Sequence, residues 1–218
     1  MSRTQAERSA ATQEALVAAA RRLWGQRGYA AVSTPEIAKA AGVTRGAMYH
    51  QYADKAELFV AVLETVETDV IERLGASVAA AEPKTPAGAL RVASDSWLDV
   101  ASEPEVRQLV LLDAPSVLGW AGFREISLRY GLGMTEQLLS AAIDAGELAP
   151  QPVRPLATVM IGALDEAAMS IANAEDPERE KAEVREVLGN LINGLLEPGA
   201  RANQARGPGS RGRGRIRG

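Results

Sequence analysis

The chain has 218 residues, 46% of them hydrophobic and 24% charged, which are the proportions of a soluble globular protein. It contains no cysteine and one histidine, His50, and this excludes disulfide scaffolds, thiol nucleophiles, thiolate zinc sites and multi-histidine metal sites. Aromatic residues make up only 4%, which disfavours a strand-rich fold. No apolar run is judged long enough to span a membrane, and the first ten residues lack a signal-peptide core. We therefore expect a cytoplasmic protein with no membrane partner.

The net charge of −4 hides an uneven distribution along the chain. Residues 1–55 hold eight Lys or Arg against four Asp or Glu, residues 56–198 hold ten against twenty-four, and residues 199–218 hold six arginines and no acid. A basic N-terminal block on an acidic body indicates that the first part meets a polyanion, although a chance fluctuation also explains the pattern.

Helical periodicity dominates from the N-terminus onwards. Residues 12–27 carry one apolar stripe and are predicted to form the first helix. The second begins near Pro35, which suits the first helical position and makes Thr34 the natural cap. As an alternative, Ser33 and Glu36 form a capping box. Gly42 ends this helix as a left-handed residue.

Thr44 is predicted to cap a third, short helix and Asp54 a long fourth one. Further helices are predicted near 86–102, 105–112, 119–145, 154–174 and 177–196, and no alternating apolar segment indicates a strand. The last twenty residues are rich in Arg and Gly, and we expect them to be disordered. The fold class is therefore all-α.

The second and third predicted helices form a helix-turn-helix joined by residues 41–44. In such a pair, the N-terminal residues of the second helix contact base edges in the major groove. Thr44 presents helix N-terminal amides to a phosphate, Arg45 can reach bases or phosphate, and Gly46 and Ala47 allow close approach. A plain helical hairpin is the alternative.

The segment TPEIAKAAGVTRGAMYHQYADKAELF, residues 34–59, resembles the DNA-binding domain of the TetR family of bacterial repressors. Gln51 and Tyr52 depart from the pattern of that family. The resemblance implies a three-helix DNA-binding domain in 1–55, a helical ligand-binding and dimerisation domain in 56–198, and about nine helices in all. It implies a homodimer that binds double-stranded DNA at a palindromic operator and responds to an unknown small-molecule effector. The expected DNA-binding residues are Ser33, Thr34, Thr44, Arg45, Gly46, Ala47, Tyr49, His50 and Lys55.

Two further sets of residues are predicted in the C-terminal part, and for each the alternative is a plain role in the core. Large apolar residues of the middle helices are typical of a small-molecule pocket. The predicted pocket residues are Trp97, Trp120, Phe123, Tyr130 and Met134. Apolar stripes on the last two helices suit a four-helix dimer interface, as the resemblance implies. The predicted interface residues are Met160, Leu164, Val184, Leu188, Leu191 and Leu195.

The sequence offers no catalytic residue, no metal ligand set and no cofactor motif. The leading interpretation is thus a ligand-responsive DNA-binding repressor that is not an enzyme. The alternative is a helical small-molecule carrier or enzyme with an incidental basic N-terminus, and an architectural helical adaptor is a third class.

Overall fold

A computed structural model describes residues 5–196, and these contain helices but no strand. The predicted all-α fold is confirmed. The predicted disordered tail lies outside the described residues. The helices are α1 (Gln5–Arg27), α2 (Thr34–Ala40), α3 (Arg45–Gln51), α4 (Lys55–Ala81), α5 (Pro86–Ala101), α6 (Pro104–Val106), a π-helical segment (Arg107–Asp113), α7 (Ala114–Asp144), α8 (Val153–Asn173) and α9 (Pro177–Leu196).

The helix-turn-helix is held by local caps. Thr44 Oγ1 accepts a hydrogen bond from the main-chain N–H of Ala47 at 3.1 Å, and Asp54 Oδ1 accepts one from Glu57 at 2.8 Å. Gly42 has a φ of +70°, the left-handed conformation predicted for the turn. These local features confirm the predicted starts of α3 and α4 and the predicted turn after α2, whereas α1 begins at Gln5, seven residues before the predicted start.

The start of α2 differs from the first choice made from the sequence. Ser33, not Thr34, is the N-cap residue. The Glu36 carboxylate accepts hydrogen bonds from the main-chain N–H and the hydroxyl of Ser33, each at 2.9 Å. These two bonds, with a further one from Arg27, lower the pKa of Glu36 to about 2. The capping-box alternative is therefore the correct one.

The predicted interruption between residues 112 and 119 is only partly present. The chain passes from α6 through the π-helical segment into α7 without a loop, because Pro115 lies in the first turn of α7, where a missing N–H breaks no bond. Gly119 is the one residue inside α7 with non-helical angles, a φ of +69° and a ψ of 168°. With these three segments continuous, the described residues form eight separate helical stretches, close to the nine expected.

The larger of two apolar clusters runs from α1 along α4 as far as Leu74 and into α5, the π-helical segment, α7 and α8. Its largest fully buried side chains are those of Trp24, Phe59 and Phe123. The boundary predicted between residues 55 and 56 falls at the first turn of α4. That helix therefore packs against α1 at one end and against α5 and α7 further along.

Helix α8 corrects the expectation that no run is long and apolar enough to span a membrane. By length and composition alone, the helix Val153–Asn173 is long and apolar enough to cross a membrane. It also carries a buried ion pair through Asp165, and its apolar residues pack against α7 and α9. A core helix of a soluble protein has these properties, so the composition of α8 is weak evidence for a membrane span.

Candidate DNA-binding surface and interior cavity

The N-terminal face of α3 is open to solvent. Thr44, Arg45, Gly46 and His50 are exposed, whereas Met48 on the opposite side is fully buried. A side chain added at Gly46 would meet only the Thr44 hydroxyl, at 3.9 Å. Burial of one face thus holds the helix on the protein and leaves the other free to enter a groove.

Polar groups on α2 and α3 are organised beside this face. The hydroxyls of Thr34 and Tyr49 lie 3.2 Å apart, and the Arg45 guanidinium lies over the Tyr49 ring, 5.4 Å from its centroid. The pKa of the Tyr49 hydroxyl is lowered, mainly by the hydrogen bond with Thr34 and to a smaller extent by the interaction with Arg45. Two hydroxyls and a guanidinium therefore share one surface, which suits contacts with phosphate and base edges.

Lys55 occupies a different environment from the one predicted. Its Nζ donates a hydrogen bond of 2.6 Å to the main-chain carbonyl of Tyr29 and lies 3.9 Å from the centroid of the Tyr29 ring. Burial lowers the pKa of Lys55, against the opposing effects of Asp113 and Glu36. The ammonium therefore fastens the start of α4 to the α1–α2 loop. The contact of Lys55 with DNA stays a prediction.

The same loop is bound from the other side by the π-helical segment. The main-chain N–H of Tyr29 donates to Asp113 Oδ2 at 2.8 Å. The Tyr29 ring packs against Trp24 and Phe59, with centroids 5.4 and 5.1 Å away. The main-chain N–H of Tyr29 is thus bonded to the C-terminal part through Asp113, and its carbonyl to Lys55 at the start of α4.

Arg21 makes a second connection between the two parts. Its guanidinium donates two hydrogen bonds to the Glu105 carboxylate, at 3.0 and 2.8 Å, and one to Asp69 at 2.5 Å. The hydrogen bond to Glu105 is the largest cause that raises the pKa of Arg21. Helix α1 is therefore fixed to both α4 and α6.

An interior cavity lies between α4, α5, α7 and α8, next to the π-helical segment. The centre of a water-sized sphere can occupy about 70 Å³ of this cavity. By the same measure, one water molecule requires roughly 10–15 Å³. Its lining residues are Glu67, Val70, Ile71, Leu74, Leu90, Ala93, Ser94, Trp97, Val110, Phe123, Ser127, Gly131, Met134, Thr135, Leu138, Met160, Ile161, Leu164 and Asp165. Its wall is therefore mostly apolar, with a few polar groups, as in a small-molecule site.

Two buried carboxyl groups face this cavity, and only one is paired. Asp165 accepts hydrogen bonds from Arg124 Nη1 at 3.1 Å and from the Ser127 hydroxyl at 2.5 Å. Burial raises the pKa of Asp165 in spite of these two partners. Glu67 has no hydrogen-bond or ion-pair partner among residues 5–196. Burial, with a smaller effect of Asp165, raises the pKa of Glu67 to about 8.

The predicted pocket residues divide into two groups. Trp97, Phe123 and Met134 line the cavity. Trp120 is 58% exposed and packs against Phe123 with the two rings tilted by 48°, and it is not part of the cavity lining, because Gly119 turns the chain just before it. Tyr130 packs against the core next to Thr68 of α4 and does not reach the lining. The assignments of Trp120 and Tyr130 to the pocket are therefore corrected.

The predicted interface residues also divide. Met160 and Leu188 are buried within the protomer, Leu164 and Val184 are half-buried, and Leu191 and Leu195 are exposed. Met160 and Leu188 nevertheless line one hollow together with Leu191, and the role of this set in a dimer interface stays a prediction. The large apolar side chains exposed on these two helices, called here the α8–α9 face, are Val159, Val187, Leu191 and Leu195.

Sequence reasoning missed Glu67, Asp165 and the bond between Tyr29 and Asp113. A signal existed for the two acids, because each occupies an apolar stripe. Glu67 follows Leu63 by four residues, and Asp165 follows Ile161 by four. The described residues contain no group of three or more acidic or histidine side chains able to hold a metal ion.

Comparison with known proteins agrees with this arrangement. A family model for bacterial regulatory proteins of the tetR family matches residues 16–62, and one for the tetracyclin repressor-like C-terminal domain matches 87–195. The HTH-type transcriptional regulator CymR of Pseudomonas putida is 40% identical over 82 residues, 38% of this chain and 40% of CymR. AcrR of Shigella flexneri is 35% identical over 111 residues, 51% of each chain. The chain thus aligns with about half, or less, of these two curated relatives.

A solved structure extends the similarity over most of the chain. The crystal structure of a TetR-family transcriptional regulator from Pectobacterium atrosepticum superposes with a TM-score of 0.79 and 34% identity. The match covers 89% of this chain and 98% of that one. The chain therefore belongs to the TetR family of bacterial transcriptional regulators.

Proposed function

We propose that the protein is a repressor that binds a palindromic DNA operator as a homodimer and leaves it when a small molecule occupies the interior cavity. The observation that carries the proposal is the exposed N-terminal face of α3, where Arg45 and Gly46 lie on the outer side of a helix held by buried Met48. A helix presented in this way fits the major groove.

In this proposal some residues of the surface bind phosphates and fix the position of the protein on DNA, and another contacts the bases and reads their sequence. Thr44 offers the main-chain amides at the start of α3 to a phosphate, and Thr34 and Tyr49 bring hydroxyls to the same side. Ser33, Ala47 and His50 lie around this set. Arg45 is the candidate for contact with a base, because its guanidinium can bind the two acceptors of a guanine.

A single helix-turn-helix reads too few base pairs to select one site in a genome, so the proposal requires a second copy. The α8–α9 face supplies the surface for it. Val159, Val187 and Leu191 are each more than half exposed, and large contiguous apolar patches on a soluble protein mark interaction sites. A twofold axis through this face places two α3 helices on one side of the dimer and matches them to two half-sites.

The route from cavity to DNA runs through the π-helical segment. Val110 of this segment lines the cavity, and Asp113 at its end accepts the hydrogen bond from Tyr29. π-Helical turns occur frequently at functional sites. A molecule that shifts Val110 would move Asp113 and thereby the α1–α2 loop, and this changes the separation of the two α3 helices.

The alternative function, that of a helical carrier or enzyme, explains the cavity but does not explain the exposed face of α3. We place the protein in the cytoplasm, where its DNA would be, and assign it no enzymatic activity or cofactor.

The test is titration of the purified protein with the intergenic DNA beside its own gene and with unrelated DNA of equal length, at several salt concentrations. We expect preference for the intergenic DNA and a steep loss of affinity with salt, since each phosphate contact contributes about −0.9 to the slope of log K against log salt. Arg45→Ala should weaken specific binding by about 1–3 kcal/mol and relax preference at one base position per half-site. Equal binding of both DNAs by the wild type would contradict the proposal.

A further inference from the structure

The inference concerns the chemical class of the molecule that the cavity accepts, and it rests on the proposed role of that cavity as the effector site. The side chain of Glu67 is the central observation. It is 6% exposed, faces the cavity, and has no hydrogen-bond or ion-pair partner within residues 5–196. A buried carboxyl group without a partner costs free energy that an apolar residue at this position would avoid. A ligand able to pair with the group removes that cost.

The other charged groups around Glu67 determine the sign of that ligand. Asp165 on α8 also faces the cavity, but Arg124 and Ser127 already satisfy it. On α7, Tyr130 lies near Glu67 outside the lining. No Lys, Arg or His is among the described residues that line the cavity. A ligand anion would therefore find two carboxyl groups and no cation, whereas a ligand cation would find one unpaired carboxyl group that can ionise to pair with it.

The rest of the wall suits the body of such a molecule. Trp97 and Phe123 present aromatic rings to the cavity, and Ile71, Leu74 and Met134 add apolar surface. The Trp97 indole N–H is already bonded to the carbonyl of Leu164 at 3.1 Å, so the ring contributes its surface and not a donor. Aromatic faces attract organic cations, and apolar walls exclude the water that would compete for the charge.

We propose that the cavity binds an apolar organic cation, a compact hydrophobic molecule with one ammonium group, and that the ammonium pairs with the carboxylate of Glu67. In the empty protein Glu67 holds a proton near neutral pH. Binding of a permanent cation therefore releases that proton to solvent, and the affinity rises with pH as far as about pH 8, where Glu67 ionises without help. Above that pH the affinity stays constant for a ligand that cannot itself titrate.

The experiment measures binding of three probes to the full-length protein by isothermal titration calorimetry. Phenyltrimethylammonium carries a permanent charge, tert-butylbenzene has nearly the same shape without charge, and phenylacetate is an anion. We expect phenyltrimethylammonium to bind at least ten times more tightly than either of the others at pH 8. At pH 6.5 it should bind more weakly and release close to one proton, detected by repeating the titration in buffers of different ionisation enthalpy.

Two variants on the same helix test the assigned group. Glu67→Gln keeps the shape of the side chain and should lower the affinity for phenyltrimethylammonium at least tenfold, abolish the proton release, and leave binding of tert-butylbenzene unchanged or stronger. Glu64→Gln removes a carboxylate one turn away that pairs with Arg129 at the surface, and it should change nothing in the cavity. Absence of cation binding at millimolar concentration, equal binding of the neutral probe, or an unchanged affinity in Glu67→Gln would overturn the inference.

Failure of this inference is distinguishable from failure of the proposed function. If the cation binds through Glu67 but leaves the protein on its operator, the ligand class stands and release by the cavity ligand is wrong. If a neutral or anionic compound releases the operator and the cation does not bind, the repressor function stands and the ligand class is wrong.

Discussion

The main-chain N–H of Tyr29 donates a 2.8 Å hydrogen bond to the carboxylate of Asp113, across 84 positions of sequence. Tyr29 lies in the loop that leads to the helix-turn-helix, and Asp113 ends the π-helical segment that touches the cavity through Val110. This bond joins the two parts of the protein, as the bonds of Arg21 to Asp69 and Glu105 also do, and it lies on the route proposed for the signal between them.

Replacement of Asp113 tests that role. Asp113→Ala removes the acceptor and should lower the free energy of unfolding by about 1–3 kcal/mol, the usual cost of leaving a partly buried donor unpaired. It should also weaken operator binding, because the helix-turn-helix is less firmly oriented. Asp113→Asn retains an acceptor oxygen and should lose less in both measurements, made by urea unfolding and DNA titration. Wild-type stability and affinity in Asp113→Ala would show that the bond does not connect the two parts.

A charge placed on the exposed face of α3 should abolish DNA binding without unfolding the protein. Gly46→Glu adds a carboxylate where only the Thr44 hydroxyl is near, so the fold has room for it. Repulsion from phosphates and added bulk should then remove operator binding. Gly75→Glu makes the same change at an exposed position of α4 with no atom within 4 Å, and it should bind DNA normally. Normal operator binding by Gly46→Glu would mean that this face does not enter the groove.

The proposed dimer depends on Leu191, which is 57% exposed in the protomer. Leu191→Asp would bury a charge at the twofold interface, at a cost of several kcal/mol after relaxation, and should give a monomer in analytical ultracentrifugation. Ala182→Asp adds the same charge nine residues earlier, on the opposite side of α9, and should remain dimeric. Circular dichroism must show equal helix content for both variants. A dimeric Leu191→Asp would place the interface elsewhere.

The buried Glu67 predicts a pH dependence of stability. Its folded pKa of about 8 lies above its ordinary value of 4.5. Between these two values the folded state binds the proton that the unfolded chain has lost, so stability falls as pH rises, by at most about 1.4 kcal/mol per pH unit. Glu67→Gln cannot titrate, and its stability relative to the wild type should therefore increase from pH 5 to pH 8 in urea unfolding. A constant difference across this range would indicate that Glu67 is ionised in the folded protein.

The helix-turn-helix was predictable because its determinants are local. Thr44 and Asp54 act on amides three residues away, and Gly42 takes its left-handed conformation inside the turn. Even there, the choice between Ser33 and Thr34 as N-cap depended on Glu36, whose carboxylate bonds to Ser33.

The cavity and its connections were less predictable because they depend on contacts distant in sequence. Nothing near Trp120 shows that Gly119 directs its ring outwards, whereas Trp97 and Phe123 meet the cavity from two different helices. In the sequence, nothing distinguishes Asp113 from the many acidic residues expected at the surface, because its contact with Tyr29 depends on the fold. Acidic residues inside apolar stripes, such as Glu67, were the available indication of a polar group in the interior.

DNase footprinting of the intergenic region beside the gene tests the central claim most directly. The account predicts protection of a palindrome whose two half-sites are centred about 34–36 Å apart, or a multiple of this spacing, by a protein that sediments as a dimer. Protection should be lost in Gly46→Glu and retained in Gly75→Glu. A wild-type protein that is monomeric at micromolar concentration, or that protects no palindrome at low salt, would contradict it.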